Sequence, residues 1–507
     1  MISLSSIIFN GMDATRIDVQ VQLATGLSKP EFNIIGLADR AVKESAERIR
    51  NVISALNLHL PPKRLTVNLS PADVEKSGSH FDLPILCGIL CAIGILPMEK
   101  LSHYIIMGEI GLDGAIVRTD GVLPAAVWAR KNDMGIICPG AQGAEAALSG
   151  HTDILAPKHV LELINHFSGA APISIPDVSD INAIAPTQTG DFAEVYGQEA
   201  AKRAMEIAAA GGHAMLMVGP PGSGKTMLAS RLPTILPEMT PDEILETSVI
   251  YSIAGQLGNR SLITNRPFRS VHHTASPVSL AGGGSNAKPG EISLANNGVL
   301  FLDELPEFDR ATLEILRQPM ESGKITISRA KRNATYPARF QLIAAMNPCP
   351  CGHLGNAALS CSRAPRCAEA YQNKISGPLL DRIDLHVDVD AVNPWEMKPV
   401  NDTPGETSAQ IRARVVAARN RQIARQGKVN ALLDGAELNA VTQLSNELTE
   451  FLNTAAEKMS MSARGYNRIK RIARTIADLR GSDAIEMADI AEALSYRPIG
   501  RGKYGVK

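Results

Sequence analysis

The sequence predicts an α/β protein of about three domains, the last of which is helical. Residues 1–170 alternate strand-like pieces, such as RLTVNL, with helical pieces, such as DRAVKESAERIRNVISAL. Residues 214–229, AMLMVGPPGSGKTMLA, have the pattern of an apolar strand, a glycine-rich loop and the first turn of a helix. Beyond residue 396, apolar residues recur at helical spacing. Together these observations predict two α/β domains followed by a helical domain.

Composition places few limits on function. The chain has 507 residues, of which 45% are hydrophobic, so it can bury large cores. Its 51 Lys and Arg residues nearly balance its 52 Asp and Glu residues, so net charge neither requires nor excludes a polyanionic partner. No apolar run is long enough to span a bilayer, and the first residues lack a signal-peptide pattern. We therefore expect a cytoplasmic protein without a membrane partner.

Residues 1–170 form the first predicted domain, and the proline-containing residues 171–190 form a linker. The segments VNLSPADVEKSGSHFDLPI and MGEIGLDGAIVRTDGVLPAAVWARKNDMGIICP resemble the catalytic domain of Lon proteases. A Lon-type enzyme requires a nucleophilic Ser and an activating Lys. The resemblance places the Ser position near His80 and the Lys position near residues 123–125, and it leaves the required Ser and Lys unmatched. We expect a Lon-like α/β domain without the catalytic Ser and Lys, in which His80 and Asp82 are structural. A scaffold or DNA-contacting role and partner binding both stay open.

Residues 191–395 form the second predicted domain, which contains a phosphate loop of pattern G-x-x-x-x-G-K-[ST]. In such a loop backbone N–H groups surround the phosphates, the Lys reaches the outer phosphates, and the hydroxyl binds Mg²⁺. Glycines let the loop wrap closely around an anion, and the helix that follows directs its positive end at it. A chance glycine-rich turn is the alternative, which the flanking strand and helix disfavour. The predicted binding residues for ATP are Gly219, Pro220, Pro221, Gly222, Ser223, Gly224, Lys225 and Thr226.

Two adjacent carboxylates end the apolar strand GVLFLDEL. A buried strand that delivers charged groups needs a reason to tolerate them. Asp303 suits the Mg²⁺ shell together with Thr226, and Glu304 suits the residue that polarises the attacking water. A solvent-facing strand end is the alternative.

Two further polar residues lie beside predicted strands, one at the end of a strand and the other just before one. Asn347 ends the strand FQLIAAMN, where it can contact the γ-phosphate or the attacking water, and it resembles the sensor-1 asparagine of AAA+ ATPases. Arg382, in SGPLLDRIDLHVDV, resembles the arginine finger that a neighbouring subunit inserts beside the γ-phosphate. A surface ion pair with Asp381 or Asp384 is the alternative for Arg382.

Basic residues cluster locally in two stretches of the second domain. No Asp or Glu stands between Glu246 and Glu291, and residues 320–340, MESGKITISRAKRNATYPARF, predict a β-hairpin that we call the basic hairpin. Local positive stretches of this kind bind phosphate backbones, and a solvated surface is the alternative. The candidate DNA contacts are Lys324, Arg329, Lys331 and Arg332.

Four cysteines crowd a loop at residues 349–367 with the spacing C-x-C-x₉-C-x₅-C. Four thiolates this close in sequence can hold one tetrahedral Zn²⁺ in a closed structural site, and His353 is a substitute ligand. Free thiols are the alternative. The predicted zinc ligands are Cys349, Cys351, Cys361 and Cys367.

Residues 396–507 form the third predicted domain, which resembles the helical lid of AAA+ proteins. Its segment MSARGYNRIKRIARTIADLR has an apolar face at helical spacing, and an opposite face with Arg468, Arg471 and Arg474. Arg464, at the start of this helix, is the candidate for the sensor-2 arginine, with Arg468 as the second choice. An ordinary solvated helix face is the alternative.

Taken together, RPFRSVHHTASPVSLAGGG, KPGEISLANNGVLFLDELPEF, the cysteine loop and SGPLLDRIDLHVDV resemble the ComM/YifB group of magnesium-chelatase-like AAA+ ATPases. The resemblance covers nearly the whole chain. It implies a homo-hexamer that uses ATP to move on single-stranded, branched or duplex DNA. It further implies that the ring drives branch migration, as a helicase, during natural transformation, with recombination proteins as candidate partners. A chelatase-type motor that drives metal insertion with partner subunits is the alternative function. A protease is disfavoured by the missing Ser and Lys.

Overall fold

The computed structural model describes residues 1–24, 31–176, 190–257, 262–284, 287–329, 332–352, 354, 366–390 and 405–497. Most of the predicted linker and the start of the predicted third domain lie outside these residues, so the domain boundaries stay predictions. No helix in the described ranges is long and apolar enough to cross a membrane.

The first part of the chain is an α/β domain built on a seven-stranded mixed sheet of order β3-β4-β2-β1-β5-β8-β9. The pairs β1–β2 and β2–β4 are antiparallel, whereas β5, β8 and β9 run parallel to β1 or to one another. The strands are β1 (Ile2–Asn10), β2 (Asp13–Ala24), β3 (Glu31–Ile35), β4 (Arg64–Ser70), β5 (Tyr104–Ile106), β6 (Glu109–Ile110), β7 (Ile116–Val117), β8 (Gly135–Ile137) and β9 (Ile154–Leu155). The helices are α1 (Arg40–Ala55), α2 (Asp82–Ala92), α3 (Met98–Leu101), α4 (Val122–Lys131), α5 (Gly143–Ala147) and α6 (Val160–Ser168).

Helix α2 is the centre of this domain, because nearly all of its residues are buried. Its sequence DLPILCGILCA is apolar on every face, which is the pattern of a helix enclosed by protein. Asp82 begins the helix and is fully buried, and Arg48 of α1 satisfies its charge through Nε and Nη2 at 2.7 and 2.9 Å. The structural role predicted for Asp82 agrees with this buried, paired position.

The second part contains a five-stranded parallel sheet of order β11-β14-β17-β10-β18. Its three inner strands are buried and almost wholly apolar, as expected when helices cover both faces of a parallel sheet, whereas the edge strand FRSV is partly exposed. The sheet strands are β10 (Met215–Val218), β11 (Phe268–Val271), β14 (Val299–Leu302), β17 (Gln341–Met346) and β18 (Leu385–Asp388). This architecture confirms the predicted α/β core.

Two small antiparallel pairs project from this core. They are β12 (Gly282–Gly283) with β13 (Lys288–Pro289), and β15 (Lys324–Arg329) with β16 (Arg332–Pro337), which form the predicted basic hairpin. The helices of the core are α7 (Glu199–Gly211), α8 (Lys225–Ile235), α9 (Pro241–Ile253), α10 (Pro277–Ala281), α11 (Glu291–Leu294), α12 (Arg310–Glu314), α13 (Arg317–Ser322), α14 (Arg366–Gln372) and α15 (Gly377–Leu380).

The last part is helical, as predicted, and packs on one face of the core. Its helices are α16 (Ser408–Gln426), α17 (Gly435–Val441), α18 (Asn446–Lys458), α19 (Ala463–Arg480) and α20 (Met487–Ser495). Thr407 and Gln410 form a capping box that starts α16. The apolar sides of α16, α19 and α20 share one buried cluster with α7, α8 and the sheet, so the lid and the core have a common hydrophobic core.

The arginine face of α19 does not match the alternative of an ordinary solvated helix face. The apolar residues Ile469, Ile472 and Ile476 are buried as expected, but Arg468 and Arg474 are buried as well. Arg474 donates to Ser482 O and Asp483 O and pairs with Asp478 at 3.1 Å. The side opposite the apolar face therefore meets polar protein groups instead of solvent.

Candidate active site

The phosphate loop links buried strand β10 to helix α8, as the sequence predicts. Gly224, immediately before the helix, has φ +85°, a conformation that favours glycine. Gly219 has no room for a side chain, because an added Cβ would lie 2.1 Å from Val389 O. Both glycines are required by this backbone path, which places the start of α8 at the carboxyl end of the sheet.

Lys225 lies at the centre of the site and is largely buried. Its Nζ donates to Gly219 O and Pro220 O, both at 2.8 Å, and lies 3.3 Å from Asn347 Oδ1. Burial lowers the pKa of Lys225, and the charges of Asp303 and Glu304 oppose that shift. The ammonium group is thus held beside the loop that is expected to bind phosphate, in contact with the predicted sensor-1 residue.

Thr226 and Asp303 meet at the same edge of the sheet. Thr226 Oγ1 donates to Asp303 Oδ2 at 2.7 Å, although the two residues are 77 positions apart in sequence. A hydroxyl and a carboxylate are oxygen ligands of the kind Mg²⁺ prefers, and Mg²⁺ usually binds one or two such groups plus phosphate oxygens. The residues present therefore fit the predicted magnesium site.

Glu304 occupies a strained backbone position next to this pair. Its φ of +53° is rare for a residue other than glycine, and strain of this kind concentrates at functional sites. Its N–H donates to Asp303 Oδ1 at 2.9 Å, and its side chain is exposed at the site. The main chain turns sharply here and directs two consecutive carboxylates to one edge of the sheet.

His273 contacts Glu304, a role that the sequence did not indicate. His273 Nδ1 lies 3.1 Å from Glu304 Oε2. The two residues follow paired strands in register, because Val271 of β11 lies opposite Leu302 of β14. The sequence marks His272 and His273 only as part of an acid-free stretch. The sequence feature that could have identified His273 is the position of the histidine pair directly after the strand that lies next to β14.

Four neighbouring parallel strands therefore deliver polar groups to one edge. Strand β10 leads to the phosphate loop, β14 to Asp303 and Glu304, β17 to Asn347, and β11 to His273. In open α/β sheets, ligands bind beyond the carboxyl ends of the strands. This arrangement can bind a nucleoside triphosphate and hold a carboxylate beside it.

Arg382 and Arg464 lie apart from this group. In the described part of the chain, no hydrogen bond or ion pair joins either arginine to Lys225, Asp303 or Glu304. Arg382 pairs with Glu321, and not with Asp381 or Asp384 as the alternative interpretation held. Both arginines line one cavity of about 400 Å³ between the core and the lid. Arg468 instead donates to Asp381 O at 2.8 Å and is buried.

The basic hairpin has one buried and one exposed face. Ile325, Ile327 and Tyr336 are buried, and Tyr336 OH donates to Ala287 O at 3.0 Å, which joins the hairpin to the pair β12–β13. Lys324 is exposed at the base of the hairpin. Lys331 and the side chains of Arg329 and Arg332 lie outside the described residues.

Two of the four predicted zinc ligands lie side by side. Cys349 Sγ and Cys351 Sγ are 3.2 Å apart, and burial raises the pKa of the Cys349 thiol. Two thiolates that bind one tetrahedral Zn²⁺ lie about 3.8 Å apart. The two sulfur atoms would therefore have to move slightly apart to bind the ion together. Cys361 and His353 lie outside the described residues, and Cys367 is the second residue of α14. Among the residues the structure covers, no three His, Cys, Asp or Glu side chains form a group suited to a metal.

The front domain has no Ser–Lys pair at the positions that the Lon resemblance indicates. His80 Nε2 lies 3.0 Å from Ile7 O, and burial lowers the pKa of His80 to about 4. Leu123 is buried in an apolar cluster of the core. Glu145 joins the two domains, because it accepts hydrogen bonds from Leu123 N at 3.2 Å and from Ser252 Oγ at 2.7 Å. The Lon-like fold itself stays a prediction.

Three family models match successive parts of the chain. The model described as magnesium chelatase, subunit ChlI, matches residues 191–397. The model of subunit ChlI of Mg-chelatase matches residues 19–142, and that of the ChlI C-terminal part matches residues 405–497. The AAA+ core of this family implies ATPase activity with ATP and Mg²⁺.

Relatives that match the whole chain identify a narrower family than the three family models do. The chain is 42% identical to the competence protein ComM of Haemophilus influenzae, over 97% of this chain and 96% of that protein. It is 41% identical to the protein YifB of Escherichia coli over the same shares. The chloroplastic magnesium-chelatase subunit ChlI of rice is 24% identical over 41% of this chain and 44% of its own length. The chain therefore belongs to the ComM/YifB family of magnesium-chelatase-like AAA+ proteins.

Proposed function

We propose that the protein is a hexameric, ATP-driven DNA translocase that promotes branch migration as a helicase. By analogy with the relative named a competence protein, its role is the integration of incoming DNA during natural transformation, in the cytoplasm. One arrangement of residues in the subunit carries the proposal. Lys225, Asp303, Glu304 and Asn347 meet at one edge of the sheet, and the basic hairpin projects from the same core.

The chain's own residues supply most of the hydrolytic chemistry. The phosphate loop and Lys225 bind and orient the triphosphate, while Thr226 and Asp303 would hold Mg²⁺. When bound, Mg²⁺ neutralises charge that develops on the phosphates. The Glu304 carboxylate orients the attacking water and accepts its proton, and His273, whose Nδ1 lies 3.1 Å from Glu304 Oε2, holds that carboxylate in place. Asn347 contacts Lys225 and senses the outer phosphate.

A neighbouring subunit completes this site in the proposal. Arg382 and Arg464 line one cavity and have no hydrogen bond or ion pair to the phosphate-loop lysine within the described residues. Both arginines are therefore assigned to the nucleotide of the next subunit in the ring. An arginine supplied across an interface stabilises the transition-state charge, and hydrolysis then requires the assembled hexamer.

The basic hairpin supports DNA as the substrate of the motor. Lys324 is exposed, and three more cations follow within eight residues of it. A chelatase-type motor is the second candidate, because the family models carry that description. The relative named for chelatase matches less than half of this chain, whereas the competence protein matches nearly all of it, so we favour DNA.

The cysteine loop is proposed to hold a structural Zn²⁺. The adjacent Cys349 and Cys351 thiols support one half of a tetrahedral site. Cys361 and Cys367 supply the other half in this proposal. A closed four-thiolate site carries no open position for catalysis, so its role is to hold the loop in one conformation.

A junction assay tests the proposed function. Purified protein is incubated with a labelled three-strand or four-way DNA junction and ATP, beside Lys225→Ala and Glu304→Gln variants. We expect junction conversion only by the wild type. Lys225→Ala loses nucleotide binding, and Glu304→Gln binds ATP without turnover. A wild-type protein that hydrolyses ATP but neither binds nor converts junctions contradicts the helicase function and leaves the chelatase alternative.

A further inference from the structure

One carboxylate joins Arg382 to the basic hairpin. Arg382 Nη2 forms an ion pair with Glu321, and its Nη1 donates a hydrogen bond to Pro378 O at 2.6 Å. Only 11% of the Arg382 side chain is exposed, so the guanidinium is withdrawn into its own subunit. To act on a nucleotide phosphate in a neighbouring subunit, Arg382 must leave the Glu321 carboxylate or divide its N–H donors between the carboxylate and the phosphate.

Glu321 is connected rigidly to the first hairpin strand. It lies in the last turn of α13, and only Ser322 and Gly323 separate it from Lys324. Ser322 Oγ donates to Lys324 O at 3.0 Å, and Gly323 N–H donates to Pro319 O at 2.9 Å. The second strand of the hairpin returns to the same turn at its base, where Ala338 N–H donates to Gly323 O at 2.9 Å. A displacement of the hairpin therefore displaces the Glu321 carboxylate.

The surroundings of the ion pair allow Arg382 to move. The cavity of about 400 Å³ that Arg382 lines is also lined by Glu321, Met320 and Arg464. Arg382 Nε is buried and has no hydrogen-bond partner within the described residues, so the present position does not satisfy every donor of the guanidinium. A carboxylate and a phosphate bind the same planar set of donors, so the two compete for them.

We infer that Glu321 is a positioning residue that holds Arg382 withdrawn until DNA moves the basic hairpin. The inference rests on the proposed function, in which Arg382 acts on the nucleotide of the next subunit and the hairpin contacts DNA. Binding of DNA to the hairpin shifts Glu321, which releases the guanidinium toward the neighbouring site. The ion pair thereby makes ATP turnover in one subunit depend on DNA at the next.

Steady-state ATP turnover, measured with and without saturating single-stranded DNA, tests this coupling. In Glu321→Ala we expect turnover without DNA to rise about threefold, the scale of a partly exposed ion pair, and DNA to add little more. Glu321→Gln keeps a hydrogen-bond acceptor without the charge and should give a smaller rise. Nucleotide affinity should stay within about twofold of wild type, because the described contacts of Glu321 include no phosphate-loop residue.

Glu437→Ala is the matched control. The Glu437 side chain is 61% exposed, against 59% for Glu321, and it pairs with Lys428 within the lid. We expect its two turnover rates to equal those of wild type. Turnover of Glu321→Ala without DNA that is equal to or below wild type overturns the inference alone. A wild-type protein that DNA neither binds nor stimulates overturns the proposed function as well.

Discussion

At the scale of single residues, His273 is the group that the structure adds to the predicted site. Its contact with Glu304 holds the carboxylate that is assigned to the attacking water. A partly exposed contact between a histidine and a carboxylate is worth up to about 1 kcal/mol, so His273→Ala should lower kcat by up to about fivefold, with nucleotide binding retained. Stopped-flow binding of a fluorescent ATP analogue and steady-state turnover separate the two effects.

His272→Ala is the control for this prediction. The His272 ring lies 4.1 Å from that of His273, but its Nδ1 contacts Thr274 Oγ1 at 2.9 Å. It should therefore keep turnover near the wild-type value. Equal losses in both variants would mean that the histidine pair shapes the loop and that His273 does not act through Glu304.

The buried His386 should control stability at low pH. Burial and the charge of Arg468 lower the pKa of His386 to about 3, whereas an unfolded histidine has a pKa of about 6.5. Between these values the unfolded chain binds the additional proton. The free energy of unfolding therefore falls as pH decreases from about 6.5, by up to about 1.36 kcal/mol per pH unit from this residue.

Denaturant unfolding followed by circular dichroism between pH 7 and 4.5 checks this slope. His386→Gln should lessen the loss of stability on acidification by about one proton's contribution. The control is His103→Gln, since the His103 side chain is 56% exposed. Equal slopes in wild type and His386→Gln would show that the buried histidine does not control the acid response.

At the scale of elements, the basic hairpin should contribute cations to DNA binding. Lys324 is exposed, and each phosphate contact adds about 0.7 to the slope of log affinity against log salt for single strands. Lys324→Ala should weaken DNA binding and reduce that slope by about this amount. Fluorescence anisotropy across a salt series measures both quantities. Lys458→Ala, at the exposed end of α18, should change neither, and an unaltered slope in Lys324→Ala would remove this residue from the DNA interface.

The cysteine loop makes a separate prediction about metal content. Wild-type protein from zinc-replete cells should carry about one equivalent of zinc per chain, and Cys349→Ser should lose it. Cys138→Ser is a matched control, because Cys138 is as deeply buried as Cys349 but lies in the front domain. Elemental analysis decides the matter, since less than about half an equivalent in wild type favours free thiols.

The sequence predicts best those features that depend on residues close to them in the chain. The phosphate loop, Asp303 and Asn347 are set by the strand that precedes each of them, so periodicity and composition locate them. The buried Arg474 could not be placed this way, because helical spacing identifies an apolar face but not the polar groups opposite it. The network of His213 with Asp384 and Thr475 joins residues 171 and 262 positions apart, so no local pattern indicates it.

At the scale of the whole molecule, the front domain contacts the core beside its two small antiparallel pairs. Glu145 binds Ser252 of α9, and Asp120 pairs with Lys288 of β13 at 2.7 Å. The turn between β1 and β2 packs on the basic hairpin so closely that a Cβ on Gly11 would lie 2.7 Å from Thr335 O. These contacts favour the scaffold role among the alternatives for this domain, because they brace both antiparallel pairs of the core.

Mixed rings of two inactive variants test whether neighbouring subunits share an active site. If Arg382 acts across the interface, a working site takes Lys225 from one subunit and Arg382 from the next. Arg382→Ala and Lys225→Ala proteins are then each inactive alone, but equal mixtures should regain about a quarter of wild-type turnover, the fraction of interfaces that combine both intact groups. A mixture of Lys225→Ala with Glu304→Gln should regain none, because both defects lie on the same side of the interface. Arg464→Ala in place of Arg382→Ala should recover turnover in the same way, because Arg464 is assigned to the same neighbouring site. No recovery at any ratio of Arg382→Ala to Lys225→Ala would place Arg382 outside a shared site.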